Sequence, residues 1–207
     1  MQKTTLKIII HLYIMKKIKY ILFVLLILIL AGCSSTNEIT IVPRKAWNAV
    51  NPKPYNSQIP VRITIHHEGE YFNPDSNAAK FIKKVQVWGM SKARNWSDIP
   101  YHFLIGLDGT IYEGRNVFTE GETATEYNPD GHLLISCIGN FEVQEVPKAQ
   151  LNSLIKLIAY CCKKYQISPD SIASHRDYSN MTVCPGKNLY KYVKNNYIKD
   201  QVKKLLN

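Results

Sequence analysis

Histidine and cysteine are the side chains of this sequence best suited to hold a metal ion, and it has six of the first and five of the second. His175 and Cys184 stand nine positions apart, joined by a polar stretch containing Ser179, Asn180 and Thr182. A loop of that length can fold back and bring both side chains to one ion. A third ligand from the end of a strand would complete three protein ligands with an open position, the arrangement of a catalytic rather than a structural zinc site. Imidazole combined with thiolate favours zinc over magnesium or calcium. His66 and His67 together end an alternating segment and offer such a strand end. Taken singly, each of these residues is more often structural than a ligand; their combination is what points to metal chemistry.

The elements that must position them are legible in the periodicity. Residues 61–66 alternate apolar with polar, the period of a half-buried strand. A short strand is expected at 39–42, stopped by Pro43. Ala78, Phe81, Ile82, Val85 and Trp88 fall at helical spacing over 77–90, with Ser76 or Asn77 as N-cap. Residues 101–105 and 110–112 flank Asp108-Gly109, a hairpin signal, and place His102 inside a strand. The apolar run 133–138 suits a strand covered on both faces. Pro147 opens a helix striped with Leu151, Leu154, Ile155, Ile158, Ala159 and Cys162, on which Cys161 is expected at the surface. A short strand at 171–173 and one closing helix over 188–206 complete an α/β (α+β) single domain, a central mixed β-sheet flanked by helices. The polar stretch 119–132 is long enough to be a groove wall or lid.

The chain has 207 residues and a formal net charge of +10, which invites a nucleic-acid reading. Much of that charge is concentrated at the start. Lys16, Lys17 and Lys19 precede the apolar run 20–30, which is short for a bilayer span and closes on small residues, as a secretory signal does. Leu30-Ala31-Gly32-Cys33 resembles a bacterial lipobox, in which the cysteine is lipidated and becomes the mature N-terminus. The other reading of this run is an uncleaved membrane anchor, and Met15 would make a cleaner start than Met1. Residues 1–32 contain five lysines and no acid, so the chain from Cys33 onward carries only +5. With no basic helix or finger motif, no nucleic-acid partner is expected. The expected organisation is a signal peptide at 1–32, lipidated Cys33 and a tether at 33–38, and the functional domain at 39–207. Cys137, Cys161, Cys162 and Cys184 are too few and too irregular for a disulfide scaffold.

Five segments, in order, resemble the type 2 N-acetylmuramoyl-L-alanine amidases, the family of phage lysozyme-type amidases and peptidoglycan recognition proteins. Pro43-Arg44-Lys45-Ala46-Trp47-Asn48-Ala49 is similar to that family's Arg-x-x-Trp-Gly-Ala opening, and Ile63-Thr64-Ile65-His66-His67 to its strand ending in His-His. Residues 96–115, with Trp96, Asp98, Tyr101, Gly109, Glu113, Gly114 and Arg115, match its longest signature almost position by position. Ile138-Gly139-Asn140-Phe141, and Ser174-His175-Arg176-Asp177 followed by Thr182-Val183-Cys184-Pro185-Gly186, complete the set. The resemblance implies zinc held by His66, His175 and Cys184 in a surface groove, with Tyr101 and Thr182 as catalytic side chains. Strand alternation agrees on His66, which shares a face with Arg62 and Thr64, whereas His67 shares one with Val61, Ile63 and Ile65 and is expected to pack.

The resemblance further implies hydrolysis of the amide between the muramic acid lactyl group and L-alanine. Zinc lowers the pKa of a bound water toward ~7 and polarises a carbonyl, while Tyr101, supported by Thr182, stabilises the developing oxyanion or helps move the proton. Three departures from the family pattern stand out: Ser136 where related enzymes carry a glutamate base, Thr123 where a loop histidine is common, and Asn48 and Pro100 in place of glycines. The rival implied function is a non-catalytic peptidoglycan-binding module; binding-only members generally lack the ligand cysteine, which is present here as Cys184. The expected partners are peptidoglycan or muropeptides and, through the lipid, a membrane. A monomer in the cell envelope is expected, anchored to the outer membrane on its periplasmic or surface face.

Overall fold

Parallel pairing of β2 (Arg62–His67) with β5 (His132–Cys137) sets the frame of the molecule, registering Ile63 with Leu133, Ile65 with Ile135 and His66 with Ser136. The computed structural model describes residues 15–19 and 39–207. Residues 15–19 are helical and exposed. The expected signal peptide, Cys33 and the expected tether otherwise lie outside the described residues. Among those described, no helix is long and apolar enough to cross a membrane.

Residues 39–207 form one compact unit around a six-stranded sheet. Its other strands are β1 (Ile41–Val42), β3 (Phe103–Ile105), β4 (Ile111–Glu113) and β6 (Ile172–Ser174), in the order β1-β4-β3-β5-β2-β6. The β3–β4 hairpin supplies an antiparallel pair, and the other pairings are parallel. The helices are α1 (Ala78–Gly89), α2 (Lys148–Tyr165), α3 (Lys187–Lys194) and α4 (Tyr197–Leu206). The expected mixed sheet flanked by helices is the observed architecture.

Alternation sorts the strand residues between two cores. Ile63, Ile65, Phe103, Ile105, Leu133, Ile135 and Cys137 pack with Leu151, Leu154 and Ile158 of α2 and with Ile198 and Val202 of α4. Leu104 and Ile138 instead join Ile82 and Val85 of α1 and Trp47. Thr64, His66, Leu134 and Ser136 occupy the alternate positions of β2 and β5, facing away from α2. Asn77 caps α1 by accepting from the Lys80 amide at 2.9 Å, which satisfies an otherwise orphaned N–H.

Three expectations are corrected. The closing helix is two: Asn196, in the left-handed region at φ 61, breaks it after Lys194, a conformation asparagine tolerates better than most residues. Cys161 is fully buried rather than exposed, because α2 is covered by the sheet on one side and by α4 on the other. His102 lies one residue before β3, fixed by bonds of both ring nitrogens: Nδ1 accepts from the Leu134 amide at 2.8 Å and Nε2 donates to the Thr119 carbonyl at 2.9 Å. Asn48, where the resemblance implies a glycine, also sits in the left-handed region, at φ 56.

Candidate metal centre

Because β2, β5 and β6 are parallel, their C-terminal ends share one edge of the sheet, where open α/β sheets commonly bind ligands. His66 lies near the end of β2, and His175 follows β6 immediately in a short 3-10 turn. Asp177 ties the start of that turn: the Ser174 hydroxyl and amide both donate to its Oδ2, at 2.6 and 2.7 Å. The loop then returns, with the Arg176 amide donating to the Cys184 carbonyl at 3.0 Å. One loop thus carries His175 and Cys184 to the same place.

The structure brings His66, His175 and Cys184 together, all three buried, with a ligand atom of each within 4.8 Å of the others. Cys184 Sγ is 3.6 Å from His66 Nδ1 and accepts a hydrogen bond from the His67 amide at 3.3 Å. His66 Nε2 is buried without a hydrogen-bond partner, a costly state for a polar atom unless an ion or donor meets the ring. Burial holds His66 well below its ordinary pKa, reinforced by the neighbouring His175, and holds His175 at about 4. Both rings are therefore neutral near pH 7, the form that binds metal. Burial also pushes the Cys184 thiol up to about 12, opposed by the His67 amide; a divalent cation would reverse that and make it a thiolate. Two neutral imidazoles and one sulfur fit zinc.

The remaining side chains surround this cluster. His67 packs behind it, its Nδ1 accepting from the Phe141 amide at 3.1 Å. The Tyr101 ring centroid lies 5.3 Å from that of His66. Burial, with Glu68 and Cys184 nearby, raises the Tyr101 pKa well above its ordinary value, so the hydroxyl stays protonated and remains a donor. Thr182 Oγ1 accepts from the Cys184 amide at 3.0 Å; its own proton is left to donate elsewhere. Tyr101, Thr182 and the three metal-binding candidates line one cleft of about 280 Å³, together with Trp88, Trp96 and Thr123. That cleft adjoins a hollow of about 630 Å³ through Trp96, Glu122 and Thr123, and one of about 340 Å³ through Glu68, Val85 and Trp88.

Several groups in the cleft and behind its wall carry no mark in the sequence. Thr125 Oγ1 is hydrogen-bonded to His175 Nε2 at 2.7 Å and fixes that ring, an outer contact of the kind that orients metal ligands. Glu126 pins the same loop by accepting from Ser179 Oγ at 2.6 Å and the Asn180 amide at 3.2 Å. Tyr127 packs against His175 in a tilted ring contact, with centroids 5.0 Å apart. Glu68 enters the cleft from the end of β2; burial pushes its carboxyl up to about 7, opposed by a hydrogen bond from Ser136. The run 119–132 reads in sequence as a groove wall or lid without singling out Thr125, Glu126 or Tyr127, and a glutamate beyond a strand end reads as solvated loop.

Other motif residues build the scaffold. Arg44 pairs with Asp98 at 2.9 Å, and Trp47 Nε1 donates to the Glu113 carbonyl at 2.8 Å. Arg115, fully buried, donates to the Ile99 carbonyl at 2.7 Å, to the Glu120 carbonyl and to the Glu122 carboxylate, which anchors the wall of the cleft. A Cβ at Gly114 would strike the Tyr101 carbonyl, so that glycine allows the close approach that seats Tyr101.

Residues 44–187 match the Amidase_2 family model, described as N-acetylmuramoyl-L-alanine amidase. Peptidoglycan-recognition protein SD of Drosophila simulans is 34% identical over 171 residues, covering 80% of this chain and 90% of that protein. Peptidoglycan recognition protein-LE, solved in complex with tracheal cytotoxin (monomeric diaminopimelic acid-type peptidoglycan), superposes with a TM-score of 0.66 at 33% identity, over 75% of this chain and 92% of that one. The N-acetylmuramoyl-L-alanine amidase LysC from Clostridium intestinale URNW gives 0.60 at 31% identity, over 77% and 98%.

Proposed function

The chain belongs to the N-acetylmuramoyl-L-alanine amidase family, and from that premise we propose that it is a zinc-dependent enzyme hydrolysing the amide between the muramic acid lactyl group and L-alanine. The observation that carries this reading is the buried His66–His175–Cys184 cluster opening into the cleft that Tyr101 and Thr182 line. A module that only bound peptidoglycan would have no use for two neutral imidazoles and a sulfur converging there.

When bound, zinc would supply Lewis acidity toward the lactyl carbonyl and toward water. The chain's own groups do the rest. His66 and His175, kept neutral by burial, and Cys184, held by the amide of His67, would hold the ion. Tyr101 keeps its proton and donates it as a hydrogen bond to the carbonyl oxygen as charge develops there, an interaction that counts most in the transition state. Thr182 supports the same oxygen with a hydroxyl whose orientation is set by the Cys184 amide. The two adjoining hollows receive what lies beyond the scissile bond, sugar and stem peptide, in peptidoglycan or soluble muropeptides.

The proposal extends to the cell: lipidation at Cys33, a tether over 33–38 and a monomeric domain facing an envelope compartment, on the outer membrane. It rests on the Leu30-Ala31-Gly32-Cys33 sequence behind an apolar run. Incubating zinc-loaded, full-length protein with a defined muropeptide, with and without a chelator, tests the activity. Release of a stem peptide with a free alanyl amino group, abolished by the chelator, is expected; retention of intact muropeptide would make the protein a binding module.

A further inference from the structure

Glu68 has no assigned role, yet it stands inside the cleft. Its amide donates to the Cys137 carbonyl at 3.3 Å and so prolongs the β2–β5 ladder by one residue past His67. Its side chain meets Ser136, whose Oγ donates to Glu68 Oε1 at 3.1 Å. Ser136 is the register partner of His66, so the hydroxyl beside the metal-binding histidine is also the one that holds this carboxylate. Glu68 lines the cleft with His66, Tyr101 and Cys184, and lines the adjoining hollow with Lys84 and Trp88.

A carboxylate kept for stability would be expected to face a cation. Lys84, which shares the hollow, is instead taken by Glu70 at 3.0 Å, and no ion pair within residues 39–207 includes Glu68. Ser136 engages Oε1 alone; Oε2 accepts no hydrogen bond from residues 39–207. The cleft thus contains an oriented carboxylate with an uncommitted oxygen, beside the residues that would hold the metal.

We propose that Glu68 is the proton carrier of the hydrolysis, positioned by Ser136. The inference rests on the amidase reading above. As the water oxygen bonds to the lactyl carbonyl carbon, one water proton passes to Glu68. As the carbon–nitrogen bond breaks, that proton passes to the alanine nitrogen, which leaves as the amine. The second water proton departs with the new lactyl carboxylic acid and is lost to solvent. Positioned acid–base groups of this kind contribute roughly 10²–10⁴-fold to rate.

The test uses full-length protein in detergent, with zinc content by elemental analysis, muropeptide affinity by calorimetry and turnover by chromatography. Glu68→Gln is expected to hold zinc as the parent does and to bind muropeptide within about twofold, while turnover falls at least ~100-fold. Glu68→Asp, which returns a carboxylate on a side chain one methylene shorter, is expected to turn over at least ~10-fold faster than Glu68→Gln, although glutamine is the closer match in shape; a merely structural role would favour the glutamine instead. A Glu68→Gln protein that turns over like an active parent, or that loses zinc, overturns the inference while leaving the amidase reading intact. A zinc-loaded parent that cuts nothing overturns both.

Discussion

At the scale of single residues, the two sets of side chains in the cleft are expected to fail differently. Cys184→Ser removes the sulfur of the metal cluster, so zinc content should fall together with activity. Tyr101→Phe leaves the cluster whole and removes only a donor whose value appears as charge develops; zinc content should match the parent while turnover drops by ~10²–10³. Elemental analysis and kinetics on the same preparations separate the two, and near-parental turnover in Tyr101→Phe would return that tyrosine to a packing role. The ligand candidates were legible because histidine and cysteine are few and their spacing carries information: a strand-end His66, then His175 and Cys184 on one returning loop. Glu68, Thr125 and Tyr127 were not. Glutamate after a strand and threonine or tyrosine in a polar loop are ordinary surface residues until pairing brings Ser136 beside Glu68 and His175 beside Thr125.

At the scale of elements, the groove wall depends on ion pairs of unequal worth. Arg115 and Glu122 form a pair whose arginine side chain is 1% exposed, whereas Lys84 and Glu70 are 66% and 58% exposed. Glu122→Ala would leave a buried guanidinium without its counter-charge and should cost about 3–5 kcal/mol; Lys84→Ala should change stability by less than about 1 kcal/mol. Urea unfolding of both variants checks the contrast. The histidine that fixes the start of β3 sets a pH dependence. Burial, together with Arg115 nearby, depresses His102 from 6.5 to about 3, despite its bond to the Thr119 carbonyl. Between those values the unfolded chain takes up a proton that the native state excludes. Stability is therefore complete above pH 6.5 and falls as the pH drops toward 3, by an amount on the order of a few kcal/mol. In His102→Gln, which retains a donor and an acceptor, unfolding midpoints at about pH 7 and about pH 4.5 should lie closer together than in the parent. Sequence periodicity located the strands and helices to within a residue or two. It missed the break between α3 and α4, since neither glycine nor proline marks it and only the left-handed Asn196 does. It also placed Cys161 outside, because a single apolar stripe does not reveal that α4 covers a second side of α2.

At the scale of the whole molecule, the charge that first suggests nucleic acid resolves into five lysines before Cys33 and a moderate +5 beyond it. The apolar run and Cys33 lead to a physical expectation. One acyl chain holds a protein to a membrane weakly, two or more hold it stably, so a lipidated Cys33 should resist high salt. Cys33→Ser is expected to move the protein from the detergent to the aqueous phase while the soluble protein still cuts muropeptides. A Cys33→Ser protein that stays in the detergent phase with residues 20–31 uncleaved would make that run an anchor helix. The cleft at the His66–His175–Cys184 cluster shares lining residues with two further hollows, room that the proposed substrate, with sugar on one side of the scissile bond and peptide on the other, would use. The most direct measurement is digestion of a defined muropeptide by the zinc-loaded, full-length protein in oxygen-18 water, read by mass spectrometry. The expected result is an unlabelled stem peptide with a free alanyl amino terminus and a sugar product carrying one heavy oxygen in its lactyl carboxylate. Recovery of intact muropeptide, or heavy oxygen in a peptide carboxylate instead, would contradict an amidase acting at the lactyl–alanine bond.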